Sequence, residues 1–216
     1  GSVKCVKEPG ITGQIRDITF ANGVYVLVGD DVMLLGPSLG DLTGYALSSD
    51  LYTIATGSIG TIALGQSSLG FFGDPQDTAP PKASDAWRMV SPRQTYNDLN
   101  RVVCDGTQFI TVGGRGQIFR STNTELWVAA NTPALVDSTS GNLAAFASDG
   151  QTFIAAVSRG TTLKSFDGNL WGEVEPAEPV TEIYHNGTQF VGRDGSTTYV
   201  SPDGHSWTQA ADDTPY

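Results

Sequence analysis

The chain has 216 residues, of which 39% are apolar and only 16% charged, and its formal net charge is −11 at pH 7. An acidic surface repels phosphate groups, which disfavours nucleic acid and anionic membranes as partners. Two cysteines are too few for a disulfide framework, no apolar stretch is long enough to cross a membrane, and residues 1–4 lack the apolar core of a signal peptide.

Residues 1–14 precede the first clear strand pattern and are predicted to form an N-terminal latch segment. Within it, Val3 to Lys7 is expected to add an edge strand. Cys5 lies in this segment and Cys104 far along the chain, so both are expected to be free thiols.

The next two units, residues 15–50 and 51–95, are predicted to contain four short strands each but are irregular. In the first, an apolar hairpin turns at Asn22-Gly23, a pair that favours a type I′ turn, and Tyr45 takes the place that tryptophan has later in the chain. In the second, a loop over residues 73–82 precedes Trp87 and replaces a tight turn.

Units three to five, residues 98–135, 141–178 and 180–211, follow one pattern. A short apolar strand ends in Asp-Gly or Asn-Gly, which predicts another type I′ hairpin, and a phenylalanine follows three residues after the glycine. That glycine precedes a tryptophan by 21, 21 and 20 residues in the three units. Nearly constant spacing indicates one structural unit used repeatedly.

The link between the third and fourth strands of these units repeats Ser-x-Asp-Gly-x-x-Trp. Two copies are clean and one is degraded; the residues are Ser165, Asp167, Gly168 and Trp171, then Ser201, Asp203, Gly204 and Trp207, and in the degraded copy Ser121, Asn123 and Trp127. The carboxylate is expected to accept backbone N–H groups, the glycine to adopt positive φ, and the tryptophan to pack on a sheet.

Five units of about 43 residues without helical periodicity predict an all-β fold. A four-stranded sheet must bury its two faces against neighbours. We therefore predict a single domain over residues 1–216, a five-bladed β-propeller of four-stranded antiparallel blades.

The Ser-x-Asp-Gly-x-x-Trp turns resemble the Asp-box, or BNR repeat, of sialidases, sortilin-type receptors and photosystem assembly factors, although the match is one residue shorter than the fullest form. In that family the turn lies at the blade periphery and marks the fold without contributing catalytic residues. The resemblance therefore implies a propeller and leaves the function open.

An enzymatic function has weak support in the residues. A sialidase would need an arginine triad with tyrosine and glutamate, but Arg16, Arg101, Arg193, Tyr184 and Glu182 match no motif of that family. A glycosidase would need paired carboxylates, for which Asp17, Asp98 and Glu182 are the candidates. Carboxylates at turns and strand ends are more often solvated, so no catalytic residue is predicted.

No metal site or cofactor is predicted, because the two histidines, His185 and His205, show no ligand spacing with the cysteines. The leading hypothesis is a structural or adhesive propeller of a phage tail, fibre or capsid decoration, similar to compact propellers of phage particles. It would dock on a protein partner in a larger assembly, at the virion or extracellular surface. The alternative is a lectin like the five-bladed tachylectins, binding surface glycans between blades at Gln108, Gln151 and Gln189.

Overall fold

The computed structural model describes residues 13–74, 87–90, 95–133, 141–157, 161–174 and 180–210. Over these residues the chain forms twenty strands in five antiparallel four-stranded sheets, with two short 3-10 turns, Gln66–Ser68 and Gly114–Gly116. The predicted all-β fold with five four-stranded sheets is confirmed. Apart from residues 13 and 14, the predicted latch lies outside the described residues. Within the described ranges, no helix has the length and apolar character needed to span a membrane.

Each sheet is built from four strands that are consecutive along the chain. The first contains β1 (Ile15–Ala21), β2 (Val24–Gly29), β3 (Val32–Ser38) and β4 (Asp41–Ala46). The second contains β5 (Leu51–Gly57), β6 (Gly60–Gly65), β7 (Gly70–Gly73) and β8 (Trp87–Val90). The third contains β9 (Leu99–Cys104), β10 (Phe109–Gly113), β11 (Ile118–Ser121) and β12 (Val128–Ala129). The fourth contains β13 (Leu143–Ser148), β14 (Phe153–Val157), β15 (Thr162–Ser165) and β16 (Gly172–Val174), and the fifth β17 (Glu182–His185), β18 (Phe190–Asp194), β19 (Thr197–Ser201) and β20 (Thr208–Gln209).

The chain divides into two compact units. The first unit comprises Gly1–Phe109 with Ser121–Trp127, and the second comprises Ile110–Arg120 with Val128–Tyr216. The candidate site described below lies wholly in the first unit.

The second strands of the sheets are the most deeply buried. Every residue of β10 and of β14 is buried, and four of the six residues of β2 are buried as well. A strand covered on both faces carries apolar or small residues at every position instead of at alternate ones. This explains why their sequences read as continuous apolar runs.

The core of the first unit lies between the first and second sheets. Val26 pairs with Leu35 and Val28 with Met33, so these four side chains share one face of the first sheet. The facing residues of the same cluster are Leu47, Leu51, Ile54, Ala63, Phe71 and Trp87. Burial of each large apolar side chain contributes about 1.5–3 kcal/mol relative to leaving it exposed.

The first sheet has no tryptophan at the start of its fourth strand, and the prediction that Tyr45 takes the place of that tryptophan is wrong. Tyr45 lies near the end of β4, paired with Met33, whereas Trp87 opens β8. The strands β3 and β4 are joined by a short hairpin, with Ser38 opposite Asp41. Tyr45 still packs against the cluster that contains Trp87, so it shares the core but not the position in the strand.

The second unit has its own core between the fourth and fifth sheets. Ala145, Ala147, Ile154 and Ala156 of the fourth sheet form one cluster with Phe190 and Trp207 of the fifth. Small alanine side chains on one sheet leave room for the large aromatic groups of the other, which is how well-packed interiors avoid voids.

The sequence predicts a type I′ turn in the first hairpin of the first, third, fourth and fifth sheets, and this prediction is confirmed at Asn22-Gly23, where φ is 52° and 83°. It is wrong in the third, fourth and fifth sheets. There only the glycines have positive φ, 95° at Gly106, 90° at Gly150 and 95° at Gly187. Each of these hairpins instead has a four-residue connection.

The side chain of the residue before the glycine explains the longer turn. Asp105 Oδ1 accepts the N–H groups of Thr107 and Gln108 at 2.7 and 2.9 Å. Asp149 and Asn186 bind the two N–H groups at the same positions of their own turns. An Asx turn of this kind satisfies the backbone locally, so the aspartate or asparagine itself does not need a positive φ.

Candidate functional site

Three links between third and fourth strands share one hydrogen-bonding pattern, which we call the serine–tryptophan turn. A buried serine hydroxyl accepts the N–H three residues further on at 2.8–2.9 Å. The side-chain oxygen two residues after the serine accepts two more N–H groups at 2.8–3.0 Å. The turns are Ser121–Asn123–Trp127, Ser165–Asp167–Trp171 and Ser201–Asp203–Trp207.

The degraded copy has the same geometry as the two clean copies. Asn123 accepts the two N–H groups in place of aspartate, and Thr124 adopts a φ of 61° in place of glycine. Its burial pattern also agrees, because the serine, the threonine and the tryptophan are buried. An amide oxygen accepts these bonds as a carboxylate does, which is why the turn persists without the Asp-Gly pair.

The tryptophans close these turns, and their indole N–H groups differ. Trp127 Nε1 donates to the carbonyl of Thr124 and Trp171 Nε1 to that of Gly168, both at 3.1 Å. Trp207 is 8% exposed, and its Nε1 has no hydrogen-bond partner among the described residues. The indole N–H groups of the first two turns therefore have hydrogen-bond acceptors, and that of the third is buried without one among the described residues.

Hydrogen bonds also set the ionisation of the two turn carboxylates. N–H groups of Leu170 and Asn169 hold the pKa of Asp167 below its usual value, and those of His205 and Ser206 do the same to the pKa of Asp203. Bonds to the charged form favour it, so both groups are anionic at neutral pH.

Hydrogen bonds attach two of these turns to other residues of the second unit. The backbone of Asn131 pairs with Asn169 and Trp171 at 2.7 and 3.0 Å, and Lys164 Nζ donates to the carbonyl of Asp203 at 2.7 Å. These contacts use the polar groups of the turns within the protein itself. The turns that contain Asp167 and Asp203 are therefore held to other parts of the second unit by hydrogen bonds.

The three glutamines predicted as glycan contacts lie in the first hairpin turns of the third, fourth and fifth sheets. Gln108 Nε2 donates to Asp105 Oδ2 at 3.0 Å, so that amide is engaged by its own turn. Gln151 and Gln189 donate their backbone N–H groups to Asp149 and Asn186. The structure places these glutamines in three separate turns and outside the groove described below.

Two of the three candidate catalytic carboxylates connect neighbouring sheets of the first unit. Asp17 accepts the N–H of Ile18 at 2.8 Å through one oxygen and that of Ile54 at 3.0 Å through the other. Asp98 accepts the N–H of Ser67 at 2.9 Å. The third, Glu182, is exposed on β17 of the second unit.

A repeated link explains the position of Asp98. Ser67 and Asp31 each have a positive φ in the turn after a second strand, and each donates its N–H to an aspartate just before the next sheet, Asp98 and Asp50 respectively. These aspartates satisfy backbone donors that the turn would otherwise leave to solvent. Sequence inspection missed this role because the partner residues are 19 and 31 positions apart.

The arginines named for a sialidase site are divided between the two compact units. Arg16 forms a bidentate contact with Asp30 at 2.8 and 3.2 Å, and this pairing raises the pKa of Arg16. Arg101 Nη1 donates to the carbonyl of its neighbour Asn100 at 2.7 Å. Arg193 lies on β18 of the second unit, and Tyr184 is half-exposed on β17.

Among the described residues, no group of three histidine, cysteine, aspartate or glutamate side chains could hold a metal ion. Cys104 is a free thiol, as predicted, and burial raises its pKa, which keeps it in the weakly nucleophilic protonated form. Cys5 lies outside the described residues.

The first unit contains a groove of about 440 Å³. It is lined by Asn22 of the first hairpin, by residues 56–61 where β5 turns into β6, which we call the floor, and by residues 72–74 with Arg88, which we call the wall. A volume of this size accommodates several side chains of a ligand. This is the candidate functional site.

The floor of the groove is fixed by hydroxyl contacts. Thr56 Oγ1 lies 2.9 Å from Thr61 Oγ1 and 3.3 Å from Thr19 Oγ1, and Ser58 Oγ donates to the carbonyl of Gly106 at 2.8 Å. Ile59 projects from the same turn and is 43% exposed. The floor therefore offers one apolar side chain on a backbone that is held in place.

Two glycines allow this close packing. A Cβ on Gly60, where φ is 131°, would lie 2.8 Å from the ring of Phe72, and a Cβ on Gly57 would lie 2.3 Å from Cys104 Sγ. Any larger residue would push the turn away from the wall. The groove was not predicted from the sequence, and the only local signal for it is the exposed isoleucine between these glycines.

The wall carries a positioned arginine. The guanidinium of Arg88 lies 5.0 Å from the centre of the Phe72 ring, and Nη2 donates to Thr124 Oγ1 at 2.9 Å. Glu125 approaches Nη2 at 3.6 Å, but its side chain is 71% exposed, so that ion pair is weak. The arrangement can receive an anionic or carbonyl group of a ligand.

No family model matches the chain, and no curated protein matches it. Solved structures do match. YCF48 bound to D1 peptide is 14% identical with a TM-score of 0.68, and 92% of this chain and 69% of that chain are covered. The Cps50 (Swd1) β-propeller domain of Myceliophteria thermophila is 12% identical with a TM-score of 0.66, and the coverage is 92% and 71%.

A third similar structure is the Pan2 WD40 domain of Neurospora crassa, 7% identical with a TM-score of 0.64 over 90% of this chain and 64% of that one. The chain thus spans roughly two thirds of the length of these proteins. At such low identity the likeness establishes the fold alone. The class is that of the β-propellers, here with five four-stranded sheets.

Proposed function

We propose that this chain is a non-catalytic β-propeller that binds a protein partner through the groove of its first unit. The observation that carries the proposal is the groove itself, a preformed recess with a fixed floor, one exposed isoleucine and one positioned arginine. Pockets that combine an apolar contact with a few placed polar groups are the usual sites of recognition. The YCF48 structure, which holds a D1 peptide, supports a peptide ligand for a propeller of this kind.

The environments of the candidate acids support the non-catalytic part of the proposal. Both oxygens of Asp17 and one oxygen of Asp98 accept backbone N–H bonds between sheets. A catalytic carboxyl must bring its oxygens within hydrogen-bond distance of the substrate, and these oxygens are engaged by backbone N–H groups instead.

The groove favours a protein ligand over a sugar. Sugar sites of lectins usually offer the open face of an aromatic ring, and Arg88 covers the Phe72 ring at 5.0 Å. The predicted glycan residue Gln108 is bound within its own turn. Displacement of a bound peptide by an oligosaccharide would indicate glycan binding instead.

The finer assignment within this proposal is an accessory protein of a phage particle, located at the virion or extracellular surface. It is supported by the resemblance of the serine–tryptophan turns to the Asp-box of compact propellers. Co-purification of the full chain with intact particles, and its labelling on them by antibody, would support it. An antibody that labels only the host cell interior would contradict it.

A random peptide display library selected on the immobilised protein tests the groove. We expect enriched peptides whose affinity falls about tenfold in Ile59→Ala, since a buried isoleucine contact is worth 1.5–3 kcal/mol. Ile18→Ala is the matched control, because Ile18 is also an isoleucine of the first unit, with 47% exposure against 43% for Ile59. Equal loss in both variants, or no loss in either, would contradict the assignment.

A further inference from the structure

The chemistry of the groove indicates which kind of peptide it would take. Among the described residues that line it, Arg88 is the only lysine or arginine. Its position on β8, opposite Phe72 on β7, follows from the register of the second sheet. The side chain therefore belongs to the groove wall through strand pairing and not through a loop.

The guanidinium of Arg88 is held before any ligand arrives. The ring of Phe72 supports it at 5.0 Å, and Thr124 fixes Nη2 at 2.9 Å. Thr124 is itself rigid, because it is 1% exposed and belongs to a serine–tryptophan turn. A fixed arginine loses little side-chain entropy when it binds a planar anion.

The hydrogen bond to Thr124 and the weak ion pair with Glu125 at 3.6 Å both involve Nη2, which is one of the three nitrogens of the guanidinium. A carboxylate is the group that matches the donor pairs of arginine, with two parallel N–H···O bonds. The guanidinium of Arg88 lies over the Phe72 ring and the side chain is 42% exposed, so its N–H groups are accessible to a ligand.

The charge of the whole chain limits the ligand further. With a net charge of −11, the protein repels a run of acidic residues at long range. A single carboxylate among neutral residues would meet less of this repulsion and could pair with Arg88, whereas Asp74, which also lines the groove, would disfavour a second carboxylate. Ile59, exposed on the floor, would contact an apolar neighbour of that acidic residue.

We propose that the groove recognises an extended peptide through one acidic side chain bound by Arg88, with an apolar residue beside it on Ile59. This inference rests on the proposed protein-binding function and adds the chemical class of the ligand. Thr124 and Phe72 act as positioning residues for the guanidinium.

Three fluorescein-labelled octapeptide pools test the inference by fluorescence anisotropy with the full chain. They share random neutral positions and differ only in a fixed central glutamate, glutamine or lysine. We expect the glutamate pool to bind about tenfold more tightly than the glutamine pool, as for a charge-assisted hydrogen bond, and the lysine pool to bind least. Arg88→Gln should remove the preference for glutamate.

Two further variants serve as controls for the charge and the geometry of Arg88. Arg101→Gln, which removes an exposed arginine of β9 that does not line the groove, should keep the preference. Arg88→Lys should keep part of it, because the charge remains and the bidentate geometry is lost. Unchanged thermal midpoints would show that the variants fold.

The outcomes separate this inference from the proposed function. Equal binding of the glutamate and glutamine pools, with loss of both in Ile59→Ala, would overturn the role of Arg88 and leave the groove as a peptide site. Failure of all three pools to bind would overturn both. Displacement of a bound peptide by a neutral oligosaccharide would overturn the peptide class in favour of a glycan.

Discussion

At the scale of single residues, one side-chain oxygen organises each serine–tryptophan turn. Asp167 and Asn123 make the same pair of bonds to backbone N–H groups, although one carries a charge and the other does not. The two turns therefore share the hydrogen bonds, and only the turn with Asp167 also carries a negative charge. This distinction can be tested by substitution.

Replacing Asp167 separates the two contributions. Asp167→Ala removes the acceptor of two N–H groups and should lower the free energy of unfolding by about 0.5–2 kcal/mol, as for loss of a helix cap with the same bonding. Asp167→Asn should stay within a few tenths of the wild type, because Asn123 shows that an amide suffices. Urea denaturation followed by tryptophan fluorescence measures both. An equal loss in the two variants would mean that the charge is essential.

The lowered pKa values of Asp167 and Asp203 predict a pH dependence. The unfolded carboxyl has a pKa of about 3.9, so the folded pKa is the lower one. The stabilisation is then present above about pH 4 and is lost as the pH falls through the folded pKa. The thermal midpoint should fall over this range in the wild type.

The double variant Asp167→Asn with Asp203→Asn should show a shallower fall in thermal midpoint, measured by calorimetry between neutral and acid pH. Glu173→Gln, at an exposed position of β16, serves as the reference and should keep the wild-type slope. Identical slopes in all three proteins would show that these turns do not contribute to acid sensitivity.

At the scale of elements, the turns decide how neighbouring strands meet. The β5–β6 turn approaches Phe72 closely because residue 60 has no side chain and a φ of 131°. The positive φ alone strains any larger residue, and the ring of Phe72 adds a steric clash. Both effects act on the floor of the groove.

Gly60→Ala should destabilise the protein by about 1–3 kcal/mol and weaken peptide binding, since strain of this order accompanies disfavoured backbone conformations. Gly23→Ala has positive φ but no atom within 4 Å of the added Cβ, so it isolates the conformational part and should cost less. Gly172→Ala meets neither obstacle and should be neutral. Thermal denaturation measures all three. A loss no greater for Gly60→Ala than for Gly23→Ala would mean that Phe72 moves freely.

Strands and the repeating turns could be predicted from the sequence because their signals are local. Apolar runs bounded by glycine mark β10 and β14, and the Ser-x-Asp-Gly-x-x-Trp spacing marks the links. The hairpins after β9, β13 and β17 do not form the predicted type I′ turn because Asp-Gly and Asn-Gly support both a two-residue and a four-residue connection. The choice depends on which side-chain oxygen reaches which N–H, and the dipeptide does not specify that.

The groove could not be predicted for a related reason. Arg88, Phe72 and Thr124 come from three separate parts of the chain and meet only after two sheets have formed. The sequence shows that Asp98 precedes a strand, which makes it a candidate catalytic acid. It does not show that Asp98 accepts a hydrogen bond from the backbone of Ser67. Contacts between distant residues require the register of the strands, which periodicity alone does not supply.

At the scale of the whole molecule, the chain shares a fold with propellers to which it is at most 14% identical among the structures compared above. Low identity with a shared fold means that function has to be argued from the residues of a site and not from the fold. The net charge of −11 then acts on every partner and favours ligands with few negative charges.

The central claim is that the groove of the first unit binds a peptide segment. The most direct measurement is an NMR titration of the isotope-labelled chain with the tightest peptide from the display selection. The account predicts the largest shift changes in the backbone amides of residues 57–60 and in those of Phe72 and Arg88. Shift changes confined to the hairpin turns that contain Gln108, Gln151 and Gln189, or to the serine–tryptophan turns, would contradict it.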